Sequence, residues 1–318
     1  MSEYAFELAL CARLEDGERI VSRQLGGAVR APGNRILDVV CVEPGSEFDD
    51  RAAITSSTIP PLAIEAGIGI GRARDPRGLI DAHPEFAREA VEEAVSVGFL
   101  QRERRNGRER VRQTVRYPDW FGEITAIENK PDLAVPGDLE RQLRTDVSLG
   151  LVDRVVLATG SYVTRAHLNR IPEEVGVWRV REGIEVIREP TPLSPTEPGI
   201  EIIEEEPLRT NVAVVSVLEK ARKRRRIAER AYGKGWRPAL PACANVEVGS
   251  VAGSHGLPYC SYYDEVVNPA GCGPACPGFE GGPAPKFDAT AERAANSPWV
   301  AEPEGRVRRQ VGLDRFSD

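Results

Sequence analysis

Residues 36–42, Ile-Leu-Asp-Val-Val-Cys-Val, are an almost entirely apolar run of strand length. Such a run is typical of a strand buried in the centre of a sheet. The exception is Asp38, because an unpaired carboxylate in a protein core costs roughly several kcal/mol. We therefore expect Asp38 to have a cation as partner or to lie near the end of its strand.

Two further acidic side chains and one lysine stand where folding alone would not place them. Glu128 and Lys130 occur in Ile127-Glu128-Asn129-Lys130, within a strand predicted over residues 123–130. Because side chains alternate along a strand, these two point to the same face. Glu7 falls at the centre of the apolar arc of a helix predicted over residues 3–15. Each of these charges needs a partner.

The predicted elements on either side of these residues indicate a mixed α/β sheet. The order is helix, strand, strand, a long insertion, strand, helix, strand, short helix, strand and strand. We predict helices over residues 3–15, 138–151 and 166–175, and strands over residues 19–25, 35–42, 123–130, 154–159, 176–181 and 184–188. Residues 1–45 and 118–190 would form the two parts of this core.

The insertion, residues 46–117, has its own pattern. Helices are predicted over residues 50–66 and 83–97, and Asn106-Gly107 between two strand-like arms indicates a hairpin. Helices followed by such a hairpin resemble a winged helix-turn-helix. Residues 102–116 contain seven arginines and two glutamates, which favours contact with phosphates although the whole chain has a formal net charge of −7.

Acidic groups that converge from neighbouring strands make an oxygen-ligand site suited to Mg²⁺ or Mn²⁺. A lysine beside such a site can orient or deprotonate an attacking water. Asp38, Glu128 and Lys130 fit this chemistry. The less specific alternative is that Glu128 and Lys130 form a surface ion pair and Asp38 is a strand-edge carboxylate.

The pattern of a helix Glu, a strand Asp and Glu-x-Lys on the next strand resembles the PD-(D/E)xK nuclease superfamily. The resemblance implies a restriction-endonuclease-like mixed-sheet core and metal-dependent hydrolysis of DNA. It implies Asp38 and Glu128 as metal ligands, Lys130 as the residue that activates water, and Glu7 as an auxiliary acid. Gln142 corresponds to a glutamine that the superfamily often uses in the next helix. The whole chain also resembles an uncharacterised protein family from salt-loving archaea.

Four cysteines follow in a Gly- and Pro-rich region, residues 238–280. Cys243, Cys260, Cys272 and Cys276 have 16, 11 and 3 residues between successive members. In a cytosolic protein this pattern favours a metal site over disulfides. Either Zn²⁺ or a [4Fe–4S] cluster takes four thiolates, and the resemblance slightly favours the cluster.

The remaining segments carry less information. Residues 191–237 are predicted as a Pro- and Glu-rich linker, a strand and a helix with the basic run 220–226, which favours contact with phosphates. The tail, residues 281–318, is predicted to be disordered. No signal peptide or membrane span is readable, so we expect a cytoplasmic protein.

The sequence therefore predicts a Mg²⁺-dependent nuclease that acts on DNA, with RNA as an alternative substrate. Two other functions stay open at this point. The first is a nucleic-acid-binding protein that keeps the fold without catalysis and has a structural Zn²⁺ or iron–sulfur site. The second is an iron–sulfur redox or sensing protein in which the α/β core is a scaffold.

Overall fold

The computed structural model describes residues 1–305 apart from residues 106 and 136. Its α-helices are α1 (Glu3–Leu14), α2 (Phe48–Ala52), α3 (Pro61–Glu65), α4 (Pro84–Ser96), α5 (Leu139–Leu149), α6 (Arg165–Leu168), α7 (Val217–Lys234) and α8 (Ala289–Asn296). Its strands are β1 (Ile20–Gly26), β2 (Ile36–Pro44), β3 (Leu100–Arg105), β4 (Arg108–Gln113), β5 (Phe121–Asn129), β6 (Arg154–Thr159), β7 (Gly176–Val180), β8 (Ile184–Arg188), β9 (Gly199–Glu206), β10 (Arg209–Val215), β11 (Val246–Val251), β12 (Ser254–Cys260) and β13 (Glu265–Val266). None of these helices is both long and apolar enough to cross a bilayer.

A six-stranded mixed sheet organises the fold, which confirms the predicted mixed α/β class. The strand order is β1-β2-β5-β6-β7-β8. β1, β2 and β5 are antiparallel, β5, β6 and β7 are parallel, and β8 is antiparallel to β7. The helix α5 makes the crossover between the parallel strands β5 and β6, as a parallel connection requires.

Helix α1 is buried on nearly all sides because it lies between two sheets. It begins at Ser2, whose side chain accepts a hydrogen bond from the backbone N–H of Ala5 at 3.2 Å. Its apolar side chains join a core cluster that includes Val39 and Ile127 of the large sheet and Leu257 of the small sheet β11-β12-β13. A helix that is apolar on most sides must be covered in this way.

The chain divides into two units. The core unit comprises Met1–Pro44 and Phe121–Trp299, and the inserted unit comprises Gly45–Trp120 together with residues 300–305. The inserted unit contains α2, α3, α4 and the hairpin β3-β4 around its own apolar cluster. The single helix predicted over residues 50–66 is wrong, because Pro60 and Pro61 stop α2 from continuing into α3.

The region after residue 190 is more regular than its composition suggests. The predicted linker contains β9, which pairs with β10, and the cysteine-rich region contains the sheet β11-β12-β13. The helix predicted over residues 166–175 is only one turn long. The predicted disorder after residue 281 is wrong for α8, because Arg293 bonds to the carbonyl of Tyr232 at 2.6 Å and Trp299 is buried. Residues 306–318, which the same prediction covers, lie outside the described residues.

Candidate active site

Asp38 and Glu128 lie side by side on adjacent strands. The antiparallel register of β2 and β5 sets Val39 opposite Ile127, so the next pair along the strands is Asp38 and Glu128. Opposite residues in an antiparallel pair share one face of the sheet. The Oδ2 atom of Asp38 also accepts the backbone N–H of Asn129 at 2.9 Å. The structure therefore brings the two predicted metal ligands together.

Arg35 is a counter-ion inside this acidic site. Its Nη2 atom donates to Oε2 of Glu128 at 2.6 Å, and Nε and Nη2 donate to the two carboxylate oxygens of Asp146 at 2.9 and 2.6 Å. All three side chains are about 6% exposed. Burial alone lowers the pKa of Arg35, but the carboxylates of Asp146 and Glu128 reverse this, so that its pKa lies above the usual range.

The buried carboxyls of the site have raised pKa values. Burial raises the pKa of Glu128 to about 7, with Arg35 acting against the shift and Asp38 adding to it. Burial also raises the pKa of Asp38 and of Glu7. The Glu128 side chain is 6% exposed and pairs with Arg35, whereas Lys130 lies near Glu3, which excludes a surface ion pair between Glu128 and Lys130.

Glu7 reaches the same site from α1. It accepts hydrogen bonds from Nε of Arg23 at 2.5 Å and from Nε2 of Gln24 at 2.9 Å. The Gln24 amide also lies 3.4 Å from Oδ1 of Asp38, so it joins the two carboxylates. Glu7, Asp38 and Glu128 thus form one acidic cluster with Arg23, Gln24 and Arg35 as its hydrogen-bond donors.

Lys130 directly follows the end of β5, so it lies outside the strand predicted over residues 123–130, and Gln142 lies on α5. The Nζ atom of Lys130 is 3.9 Å from Oε1 of Glu3, and its side chain is 23% exposed. Gln142 is half-buried on α5, one helical turn before Asp146, so both side chains lie on the same helix face. The partners that this reasoning missed are Arg23, Gln24, Arg35 and Asp146. A single charged residue next to an apolar strand, as Arg35 is before residues 36–42, is the signal that could have revealed one of them.

The carboxylate oxygens of the cluster are ligands suited to a hard cation. Within the described part of the chain, no three His, Cys, Asp or Glu side chains are arranged to hold a metal ion. Mg²⁺ needs fewer, because it keeps several waters and commonly binds one or two carboxylates together with a substrate phosphate. Asp38 and Glu128 supply such a pair, and each keeps lone pairs beyond those that accept the hydrogen bonds described above.

The four C-terminal cysteines lie in one neighbourhood. The pKa of Cys272 is raised first by burial and then by the thiols of Cys243, Cys260 and Cys276. The hydroxyl of Tyr263 lies 3.6 Å from Sγ of Cys276. Cys243 and Cys260 are buried, and Cys272 and Cys276 are half-buried. The other two cysteines, Cys11 and Cys41, are buried in the core.

The basic run on α7 is largely used inside the protein. Lys220 is 1% exposed, and its Nζ donates to the carbonyls of Ser194 at 3.1 Å and Glu197 at 2.8 Å. Arg224 donates to Oδ2 of Asp153 at 2.8 Å. This corrects the prediction that the whole run contacts phosphates, because Lys220 and Arg224 instead form hydrogen bonds within the core unit. Arg222 is exposed.

The hairpin of the inserted unit keeps exposed arginines beside paired ones. Arg102 lies 3.2 Å from Glu109, and Arg112 lies 2.7 Å from Glu103. Arg104 and Arg108 are exposed. The two glutamates of the hairpin therefore neutralise two of its arginines, and a positive surface remains.

Comparison with known proteins places the chain in a family without assigning an activity. A search of the curated proteins gave no significant match, and a search of the solved structures gave none either. Residues 20–281 match the profile of a family of unknown function, DUF5787, and the chain belongs to that family.

Proposed function

We propose that this protein is a metal-dependent nuclease that hydrolyses backbone phosphodiester bonds of DNA. The observation that carries the proposal is the adjacency of Asp38 and Glu128 on antiparallel strands, with Lys130 of the Glu-x-Lys pattern directly after the end of the second strand. A buried and a half-buried carboxylate side by side are unfavourable without a cation, so such a pair is expected where a cation must bind.

The chain order of the elements supports the same proposal. The PD-(D/E)xK pattern requires a helix with Glu, a strand with Asp, a strand with Glu-x-Lys and then a helix. Here Glu7 lies on α1, Asp38 on β2, Glu128 on β5 and Gln142 on α5. In the large sheet β1, β2 and β5 are antiparallel, and α5 connects β5 to the parallel strand β6. These residues therefore lie on neighbouring elements.

Asp38 and Glu128 would hold Mg²⁺ or Mn²⁺, which supplies a Lewis acid that activates water and offsets charge on the phosphate. Lys130 would orient the attacking water through Nζ and balance phosphate charge. Glu7 would act as an auxiliary acid. Arg35 would hold the Glu128 carboxylate in one orientation through its 2.6 Å hydrogen bond.

Arg35 also favours the alternative function, a nucleic-acid-binding protein without catalysis. Its guanidinium already compensates the charge of Glu128 and Asp146, which is the task that a metal ion would perform. In that case the positive hairpin of the inserted unit would carry binding, and the acidic cluster would only stabilise the core.

The four cysteines would hold Zn²⁺ or a [4Fe–4S] cluster. Their donor chemistry fits both, since each takes thiolates, although within the described residues no three of these thiols are arranged around one metal position. Metal analysis and the visible absorption spectrum of the purified protein distinguish the two. A coloured protein whose activity follows the cluster state and needs no Mg²⁺ would instead support the redox or sensing function.

The test is cleavage of labelled linear duplex, single strand, flap and four-way junction DNAs with Mg²⁺ or Mn²⁺. Lys130→Ala is compared with Lys286→Ala, which removes an exposed lysine remote in sequence from the acidic cluster. Metal-dependent cleavage that is lost only in Lys130→Ala supports the nuclease. Equal, salt-sensitive binding by all three proteins without cleavage refutes it and supports the binding function.

A further inference from the structure

A cavity of about 570 Å³ opens beside the acidic cluster in the core unit. Its lining includes Glu7 of the cluster and six further side chains on which the inference depends: Tyr4, Arg23, Gln24, Pro238, Asn268 and Pro269. They come from α1, from β1 and from the two loops that flank the cysteine-bearing sheet. Among these lining residues, Glu7 alone has a catalytic role proposed above.

The lining combines flat apolar surfaces with amide groups. Tyr4, Pro238 and Pro269 contribute rings, and Gln24 and Asn268 contribute side-chain amides. The Gln24 amide NH₂ already donates to Glu7 and the Asn268 Oδ1 already accepts the backbone N–H of Ala270, which leaves Oε1 of Gln24 as an acceptor and the NH₂ of Asn268 as a donor. The guanidinium of Arg23 lies 4.9 Å from the centroid of the Tyr4 ring, which makes a stacked platform at one side. A nucleobase has the matching chemistry, because its faces are apolar and its edges are polar.

The wall nearest the cluster has a fixed shape. Gln24 has a left-handed backbone with φ +53°, which is uncommon for a residue other than glycine. Lys234 supports this conformation, since its Nζ donates to the carbonyls of Arg23 at 2.6 Å and Gln24 at 3.2 Å. This left-handed residue lies within β1, and its side-chain amide contacts Glu7 and Asp38. Strain of this kind persists only where the surroundings enforce it, and it is common at functional sites.

The volume of the cavity indicates whether it can bind single-stranded or double-stranded nucleic acid. A volume of this order holds a small organic ligand such as one nucleotide. A base inside a duplex can enter such a cavity only after it leaves the stack, which costs roughly a few kcal/mol. An unpaired base has no such cost.

We propose that this cavity binds one unpaired nucleotide next to the phosphodiester that is cleaved, so that the substrate is single-stranded DNA or the splayed end of a duplex. The inference deepens the proposed function and rests on it. Gln24 couples the two sites, because its amide forms the cavity wall and also contacts the carboxylates of the cluster.

The experiment measures binding without metal, so that it does not depend on catalysis. A fluorescein-labelled single strand of about 16 nucleotides and its duplex are titrated in EDTA, and anisotropy gives Kd. Ala239→Trp fills the cavity from its exposed rim, and Ala294→Trp on α8 is the matched control on an exposed alanine. Tyr4→Ala removes the stacking ring, and Tyr4→Phe restores it.

We expect the parent chain to bind the single strand more tightly than the duplex. Ala239→Trp and Tyr4→Ala should weaken single-strand binding about tenfold, the size expected for one stacked base, and leave duplex binding unchanged. Ala294→Trp and Tyr4→Phe should bind as the parent does. Equal single-strand affinity of Ala239→Trp and the parent overturns the inference, as does a preference for duplex.

The outcomes separate this inference from the proposed function. Cleavage that depends on Lys130 together with an unaffected Ala239→Trp leaves the nuclease intact and overturns the cavity as its nucleotide site. A loss of single-strand binding in Ala239→Trp, in a parent chain that never cleaves, supports the cavity as a binding site and refutes the nuclease.

Discussion

Replacing Arg35 with Gln tests how the acidic cluster is stabilised. The change removes three hydrogen bonds of 2.6–2.9 Å between the guanidinium and the carboxylates of Glu128 and Asp146. Bonds to charged groups contribute about 1.5–3 kcal/mol each, and they do not add independently. Breaking a buried ion pair by removing one partner costs about 3–5 kcal/mol. We therefore expect Arg35→Gln to lower the free energy of unfolding by about 4 kcal/mol at about pH 8.

The loss should be smaller at about pH 5. Burial raises the pKa of Glu128 to about 7, above its value of 4.5 in an unfolded chain. An acid with a raised pKa in the folded state contributes stability below its unfolded pKa, and this contribution is lost as the pH rises through the folded pKa. Without Arg35 the pKa of Glu128 rises further, because the cation that opposes the shift is gone. The carboxyl then takes up a proton as the pH falls, which relieves the unpaired charge.

The assay is urea unfolding followed by tryptophan fluorescence, in EDTA, at both pH values. Arg144→Gln is the matched control, because Arg144 lies 2.8 Å from Glu205 but its side chain is 47% exposed. Exposed pairs contribute about 1 kcal/mol or less. The reasoning is refuted if Arg35→Gln loses no more stability than Arg144→Gln, or if its loss grows as the pH falls.

Three further substitutions test other parts of the core unit. Glu201→Gln should lower the free energy of unfolding by about 3 kcal/mol, because the buried carboxylate accepts the backbone N–H groups of residues 29–31. Faster hydrogen exchange confined to these amides is expected, and unchanged exchange would contradict this. Lys220→Met should cost about 2 kcal/mol in urea unfolding, because the buried ammonium loses its hydrogen bonds to the carbonyls of Ser194 and Glu197, and a neutral result would show that the ammonium is dispensable. Gly256→Ala should lower Tm by roughly several degrees, because the φ angle of Gly256 is +101° and a Cβ atom there would lie 2.5 Å from the Phe287 ring. An unchanged Tm would contradict the strain expected at this position.

The sequence could predict the large sheet because each strand carries a local apolar pattern. The predicted strands over residues 154–159 and 184–188 coincide with β6 and β8. The strands β11 and β12 were missed because Gly and Pro interrupt their pattern, and only pairing across the sheet stabilises them. The tail helix α8 was missed for a similar reason, since its contacts with distant residues hold it in place.

The same limit applies to the candidate site. Asp38, Glu128 and Glu7 could be identified because each breaks an apolar pattern, and the structure brings them together. Arg35 and Asp146 could not be paired from sequence, since they are 111 positions apart in the chain. Their pairing is set by how α5 packs beside the sheet.

The inserted unit also bears on how the chain folds. β2 and β5 are adjacent strands, yet the whole of Gly45–Trp120 lies between them in sequence. Closing a flexible loop of that length costs about 4 kcal/mol of chain entropy. Within the inserted unit, however, the backbone N–H of Gly45 donates to the carbonyl of Trp120 at 2.6 Å, so its two ends meet when it folds. We expect the insertion to fold first and thereby to bring Pro44 and Phe121 into register, which makes assembly of the acidic cluster a late step in folding.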